Sequence, residues 1–120
     1  MYIIVYYKYA MDSAMDARDL AGMLIERFGE ENVKIMNNRL TIDIFDVRVD
    51  FRSGELEKMA GVRPDYFIAY NFEAVQYLEC QASRVGGKRL GKLDDIVQVI
   101  WEHSRVVTEV SIGESCWKTS

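Results

Sequence analysis

Proline occurs once in this chain, at Pro64, histidine once, at His103, and cysteine only twice, at Cys80 and Cys116. Neither cysteine belongs to a CxxC pair, so the sequence offers no disulfide framework and no structural zinc site, and a reducing cytoplasmic setting is expected. A single proline and the lack of any Ser/Gly-rich stretch leave no linker, and no internal repeat divides the chain. Long apolar runs are missing as well. The opening segment from Met1 to Tyr9 is too short to span a bilayer, is cut by Lys8 and lacks a basic n-region, so it reads as a strand and no membrane partner is expected. Positive charge is in deficit, with 15 Lys and Arg against 19 Asp and Glu and a net charge of -4. A protein that coats nucleic acid needs a basic surface to neutralise phosphates, so nucleic acid is not the favoured partner, although a local basic patch leaves room for it.

The rest is ordinary for a folded domain. Among 120 residues, 49% are hydrophobic and 28% charged, enough apolar material for one core without disulfides or metal. The expected organisation is a single α/β domain over residues 1–112 with a flexible C-terminal tail over 113–120, built as a small mixed sheet with a β-hairpin and flanking helices.

Tyr2 to Tyr7 is an unbroken β-branched and aromatic run, the signature of a strand covered on both faces. Ala14, Ala17, Leu20, Ala21, Leu24, Ile25 and Phe28 recur at helical spacing, with Ser13 or Asp12 as the expected cap and Gly29 as the stop. Val33 to Met36 predicts a short strand, Asn37-Asn38 a turn, and Leu40 to Ile44 with Val47 to Phe51 a hairpin whose Asp43, Arg48, Asp50 and Arg52 lie on the wetter face. Tyr66 to Tyr70 predicts another buried strand ended by Asn71. Phe72 to Arg84 and Leu93 to Glu102 follow as helices, with Phe72 on the apolar face of the first, and Arg105 to Ile112 as a last strand.

One stretch carries a family likeness: Phe51-Arg52-Ser53-Gly54, followed by Lys58-Met59-Ala60-Gly61-Val62-Arg63-Pro64-Asp65 and the apolar strand Tyr66-Phe67-Ile68-Ala69-Tyr70-Asn71. With the strand, helix and hairpin before it, this order resembles the P-loop ATPase core of phage terminase large subunits and related helicase-like motors, on the approach to the Walker B strand. Those motors carry an aspartate and a glutamate at that strand end to hold magnesium and polarise water. Here Ala69-Tyr70-Asn71 stands in their place, and the phosphate loop that would precede the equivalent of Tyr2 has no counterpart before Met1. The resemblance therefore implies a motor-like core without ATP chemistry. Together with the small size it implies a phage or prophage accessory protein, not an enzyme and without cofactor, that binds a protein partner and inhibits a host enzyme or defence complex.

Gly86-Gly87-Lys88-Arg89-Leu90-Gly91-Lys92-Leu93 has the glycine and lysine spacing of a P-loop but ends on Leu93 where a magnesium-binding Ser or Thr is required, and it follows an amphipathic helix instead of a strand. A solvated turn is the simpler reading. Arg84, Lys88, Arg89 and Lys92 still put four cations in nine residues, so with Arg63 they form a candidate site for a phosphate-bearing ligand or an acidic partner. Asp43, Asp46 and Asp50 invite a metal-dependent nuclease reading, which a turn position for Asp46 weakens; no metal is expected, and His103 lacks a nucleophile motif around it. Seven tyrosines are many for this length, and Tyr6, Tyr7, Tyr9 and Tyr70 are candidate interface anchors on an exposed strand edge that would also allow a homodimer. The six methionines are expected to fill gaps in the core.

Overall fold

The computed structural model describes residues 1–36, 38 and 40–105. Their order is β1 (Tyr2–Tyr7), α1 (Ala10–Phe28), β2 (Val33–Met36), β3 (Thr41–Ile44), β4 (Val47–Ser53), β5 (Tyr66–Ala69), α2 (Phe72–Ser83), β6 (Lys88–Arg89) and a third helix, α3, over residues 93–105. The six strands form one mixed sheet in the order β2-β3-β4-β1-β5-β6. The fold is α/β, with the expected hairpin and flanking helices.

The unbroken apolar run of β1 makes it central. It pairs in parallel with β4 on one side and with β5 on the other, and β2 and β3 extend the β4 side as an antiparallel ribbon. Leaving β1, the chain moves one way to β4 and then returns across β1 to β5. Keeping the usual right-handed crossover while reversing direction obliges the two connections to lie on opposite faces. Two cores reflect this. Ile3, Val5 and Tyr7 pack with Leu20 and Leu24 of α1 and Ile96 and Ile100 of α3, whereas Ile4 and Tyr6 pack with Met59 and with Ala74 and Leu78 of α2.

Helix α1 begins earlier than its sequence suggests. Tyr9 is its N-cap and makes no side-chain cap, while Ser13 is buried within the helix and its hydroxyl donates to the Ala10 carbonyl at 2.7 Å. The short β1–α1 connection winds the helix from Ala10, so Ser13 bonds back along it instead of capping it. Asn71 does cap α2, its side chain accepting from the Ala74 amide at 2.7 Å. That places Phe72 in the first turn, pointing to solvent, which corrects the expectation that it joins the apolar face.

The glycine pair after α2 is a helix terminator. Gly86 has φ +73°, its amide donates to the Ser83 carbonyl at 3.3 Å, and the Gly87 amide donates to the Ala82 carbonyl at 2.8 Å, the paired bonds of a Schellman cap. A β-carbon on Gly87 would stand 2.3 Å from the Pro64 carbonyl oxygen, so only glycine lets the turn pass the start of β5. Beyond it the expected loop tightens into β6, with the Lys88 and Leu90 amides donating to the Asp65 and Phe67 carbonyls. The strand expected from Arg105 falls outside the described residues, apart from Arg105 itself, which is helical; the 113–120 tail lies outside them too.

Candidate functional site

Where the chain reverses direction, the connections after β1 and after β4 and β5 part to opposite faces and leave a crevice at the carboxyl ends of the strands, the place where open α/β sheets take their ligands. Two adjoining cavities occupy it. One, of about 480 Å³, lies between the β1–α1 turn and the end of β5 and is lined by Tyr7, Tyr9, Asp12, Met15, Asp16 and Tyr70 among others; the second, of about 560 Å³, is lined by Gly54, Glu55, Leu56, Glu57, Phe72 and Glu73. Tyr6, Lys8 and Asn71 line both.

The crevice floor is aromatic and ordered. Tyr6 and Tyr7 are buried; the Tyr6 hydroxyl donates to the Gly54 carbonyl and the Tyr7 hydroxyl to the Asp16 carboxylate. The rim is aromatic and open: Tyr9 is 63% exposed, Tyr70 58%, Phe72 75% and Met15 63%, with Met11 exposed one turn before Met15. The Tyr7 and Tyr70 rings lie 5.3 Å apart at 35°, and the Lys8 ammonium sits 5.8 Å from the centre of the Tyr9 ring.

Charge in the crevice is lopsided. Its lining holds five carboxylates, from Asp12, Asp16, Glu55, Glu57 and Glu73, against the single ammonium of Lys8. Partial burial, then the neighbouring charge of Asp19, holds the Asp16 carboxyl above the usual carboxylate range. The Tyr70 phenol is raised by burial and then by Asp16, and that of Tyr6 by burial and then by Glu73. An anion entering here meets a repelling field.

The four tyrosines named from the sequence thus converge on one crevice, but by a different geometry from that expected. They stand at the ends of central strands, since the sheet edges are β2 and β6. Tyr6 and Tyr7 supply floor, Tyr9 and Tyr70 supply accessible surface. Met11 and Met15, expected in the core, are exposed, Met15 on the rim itself, while Met59 is buried as expected.

The five cations do not share one face of the sheet. Arg63 is exposed just before β5, at the opposite end of the sheet from the crevice, and Arg84 is exposed at the end of α2. Lys88 pairs with Tyr66 and Arg89 with Phe67, residues that pack into opposite cores, so the two side chains leave β6 from opposite faces. Lys88 lines a cavity with Asp65 and His103, Arg89 donates to the Ala69 carbonyl at 3.3 Å, and Lys92 lies 4.0 Å from Asp94. The Gly91 and Lys92 amides both donate to Asp95 at 3.1 Å, so a side chain of the protein already satisfies them.

The hairpin acids are engaged separately. Asp43 pairs with Arg48 at 2.9 Å, and Asp46 in the β3–β4 turn accepts from His103 at 2.8 Å. Asp50, expected on the wet face, has a side chain only 15% exposed; it accepts from Tyr2 at 2.5 Å and from Thr41 at 2.6 Å. Among the described residues no group of three or more His, Cys, Asp or Glu side chains is arranged to hold a metal ion. No helix among them is long and apolar enough to cross a membrane.

Comparison with protein-family models, with curated proteins and with solved structures finds no match to this chain.

Proposed function

We propose that this chain is a non-enzymatic accessory protein that binds another protein through the crevice at the carboxyl ends of β1, β4 and β5. The observation that carries this reading is the concentration of exposed Tyr9, Met15, Tyr70 and Phe72 around the two adjoining cavities. Aromatic side chains are enriched in binding hot spots because they bury much area while losing little conformational freedom, and methionine is enriched at interfaces because its flexible thioether adapts to the partner's surface. A non-catalytic role is supported by the end of β5: where the motors it resembles place acids, Tyr70 joins the aromatic rim and Asn71 spends its side-chain oxygen on capping α2. A phage or prophage setting, with inhibition of a host enzyme or defence complex as the result of binding, rests on that resemblance and on size.

The test is site-specific photo-crosslinking from position 72 in cells that make the protein, with position 34 on the far sheet edge as control. A discrete protein adduct from position 72, lost when Tyr70 is also changed to Ala and not seen from position 34, is expected. No adduct from position 72, or turnover of ATP or nucleic acid by the purified chain, would overturn the reading.

A further inference from the structure

We infer that the segment received by this crevice is basic and inserts an arginine side chain between Tyr9 and Tyr70, against the carboxylates of Asp12 and Asp16. This rests on the crevice being the binding surface and names the chemistry of what enters it.

Charge complementarity selects the class of partner. The chain as a whole carries 19 acids to 15 bases, whereas the crevice lining carries five acids to one base, a far larger excess. A neutral apolar segment would cover Tyr9, Tyr70 and Phe72 but desolvate the neighbouring carboxylates of Asp12 and of Asp16, which no cation among the described residues neutralises, and burying a carboxylate without a counter-charge is costly. An acidic segment, a phosphate or a nucleic-acid backbone would add like charge. A cation neutralises the acids and also uses the ring faces.

The choice of arginine follows from the shapes present. Two exposed tyrosine rings, of Tyr9 and Tyr70, and two carboxylates line the same cavity, and a planar guanidinium can lie on an aromatic face while its edge donates paired hydrogen bonds to a carboxylate. The protein already shows half of this interaction internally, because the Lys8 ammonium lies 5.8 Å from the Tyr9 ring centre. Lys8 is a resident, imperfect version of the incoming group: it supplies charge to one ring but has no planar face. The Asp16 carboxyl, raised by burial and then by the charge of Asp19, is one whose charged form a cation beside it would favour.

The test uses the purified full chain and a labelled peptide of alternating arginine and glycine, with versions in which every arginine is replaced by lysine or by uncharged citrulline. Fluorescence anisotropy at physiological salt is expected to show binding of the arginine peptide, at least about tenfold weaker binding of the lysine peptide, and none of the citrulline peptide. Asp12→Asn/Asp16→Asn is expected to weaken arginine-peptide binding about tenfold or more, whereas Glu30→Gln/Glu31→Gln, an equal loss of charge outside the crevice, leaves it within about twofold. Tyr70→Ala is expected to weaken it while unfolding cooperatively. Equal binding of the citrulline peptide, equal loss in the two acid double variants, or no binding of the arginine peptide would overturn the inference. A free-chain dimer in sedimentation that Phe72→Ala dissociates would overturn it too, by giving the crevice to a second copy. The underlying reading is judged separately: an adduct from position 72 without arginine preference sinks only the identity of the segment, and absence of the adduct sinks both.

Discussion

The rings of Tyr7 and Tyr70, 5.3 Å apart and tilted by 35°, join the end of β1 to the end of β5, and only the first of them is buried. The pair divides labour between fold and surface. Tyr7→Ala removes a buried ring and is expected to cost about 3–5 kcal/mol in urea unfolding. Tyr70→Ala removes a largely exposed ring and is expected to cost no more than about 1.5 kcal/mol while abolishing the adduct from position 72. Equal stability losses in the two variants would contradict this division.

Asp16 is held above its ordinary range by burial and by Asp19, so the folded chain keeps its proton to higher pH than the unfolded chain does. Between the two titrations the folded state binds more protons, and stability falls as pH rises through and beyond the ordinary carboxylate pKa. Asp16→Asn, which retains an acceptor for the Tyr7 hydroxyl, is expected to flatten that fall and to stabilise the chain at pH 7 by up to about 0.5 kcal/mol. Melting temperature measured from pH 3 to 7 in both proteins checks the sign.

Tyr2 donates to Asp50, and burial followed by this carboxylate pushes its phenol up to about 12. The unfolded phenol ionises near the ordinary tyrosine value of about 10, so the unfolded state loses its proton first and stability declines from about pH 10 until the folded phenol ionises. In Tyr2→Phe this part of the alkaline decline is expected to disappear, at a cost of about 1.5–3 kcal/mol at pH 7 from the largely buried Asp50 carboxylate left with fewer donors. Denaturant titrations at pH 7, 10 and 11.5 separate the two effects.

Gly86 and Gly87 are expected to respond to alanine for different reasons. Gly86→Ala places a β-carbon on a left-handed residue in open space, at a cost of about 1–2 kcal/mol. Gly87→Ala drives a β-carbon to 2.3 Å from the Pro64 carbonyl oxygen and requires β5 and β6 to shift, so a loss above about 2 kcal/mol is expected. Amide exchange should quicken at Lys88 and Leu90 in the second variant, because their bonds to Asp65 and Phe67 form the β5–β6 seam.

Strands and helices with strong periodicity were legible in the sequence: the β1 run, the hairpin alternation of Val47, Val49 and Phe51, the stripe Ala17, Leu20, Ala21 and Leu24, and Asn71 as a boundary. Local patterns decide these. What failed to show depends on distant partners. Nothing around Asp46 names His103, 57 residues away, and nothing around Tyr2 names Asp50. Lys88-Arg89 looks like loop because two residues carry no period, and they become a strand only because β5 offers a free edge. Tyr9 and Tyr70 were visible as candidates, but their meeting required the reversal of winding about β1, which no window of sequence contains. Exposed Met11 and Met15 differ from core methionines in nothing but the face of α1 they occupy.

The place of β1 at the middle of the sheet has a consequence for how the chain is made. Its partners, β4 and β5, lie at residues 47–53 and 66–69, so during synthesis this apolar strand emerges before both and finds its second neighbour only after Ala69 has followed. Until then Ile3, Ile4 and Val5 have no parallel strand on one side, and such an edge recruits other chains. Translation speed and chaperone supply over residues 8–69 should therefore govern the yield of native protein more strongly than the final stability does.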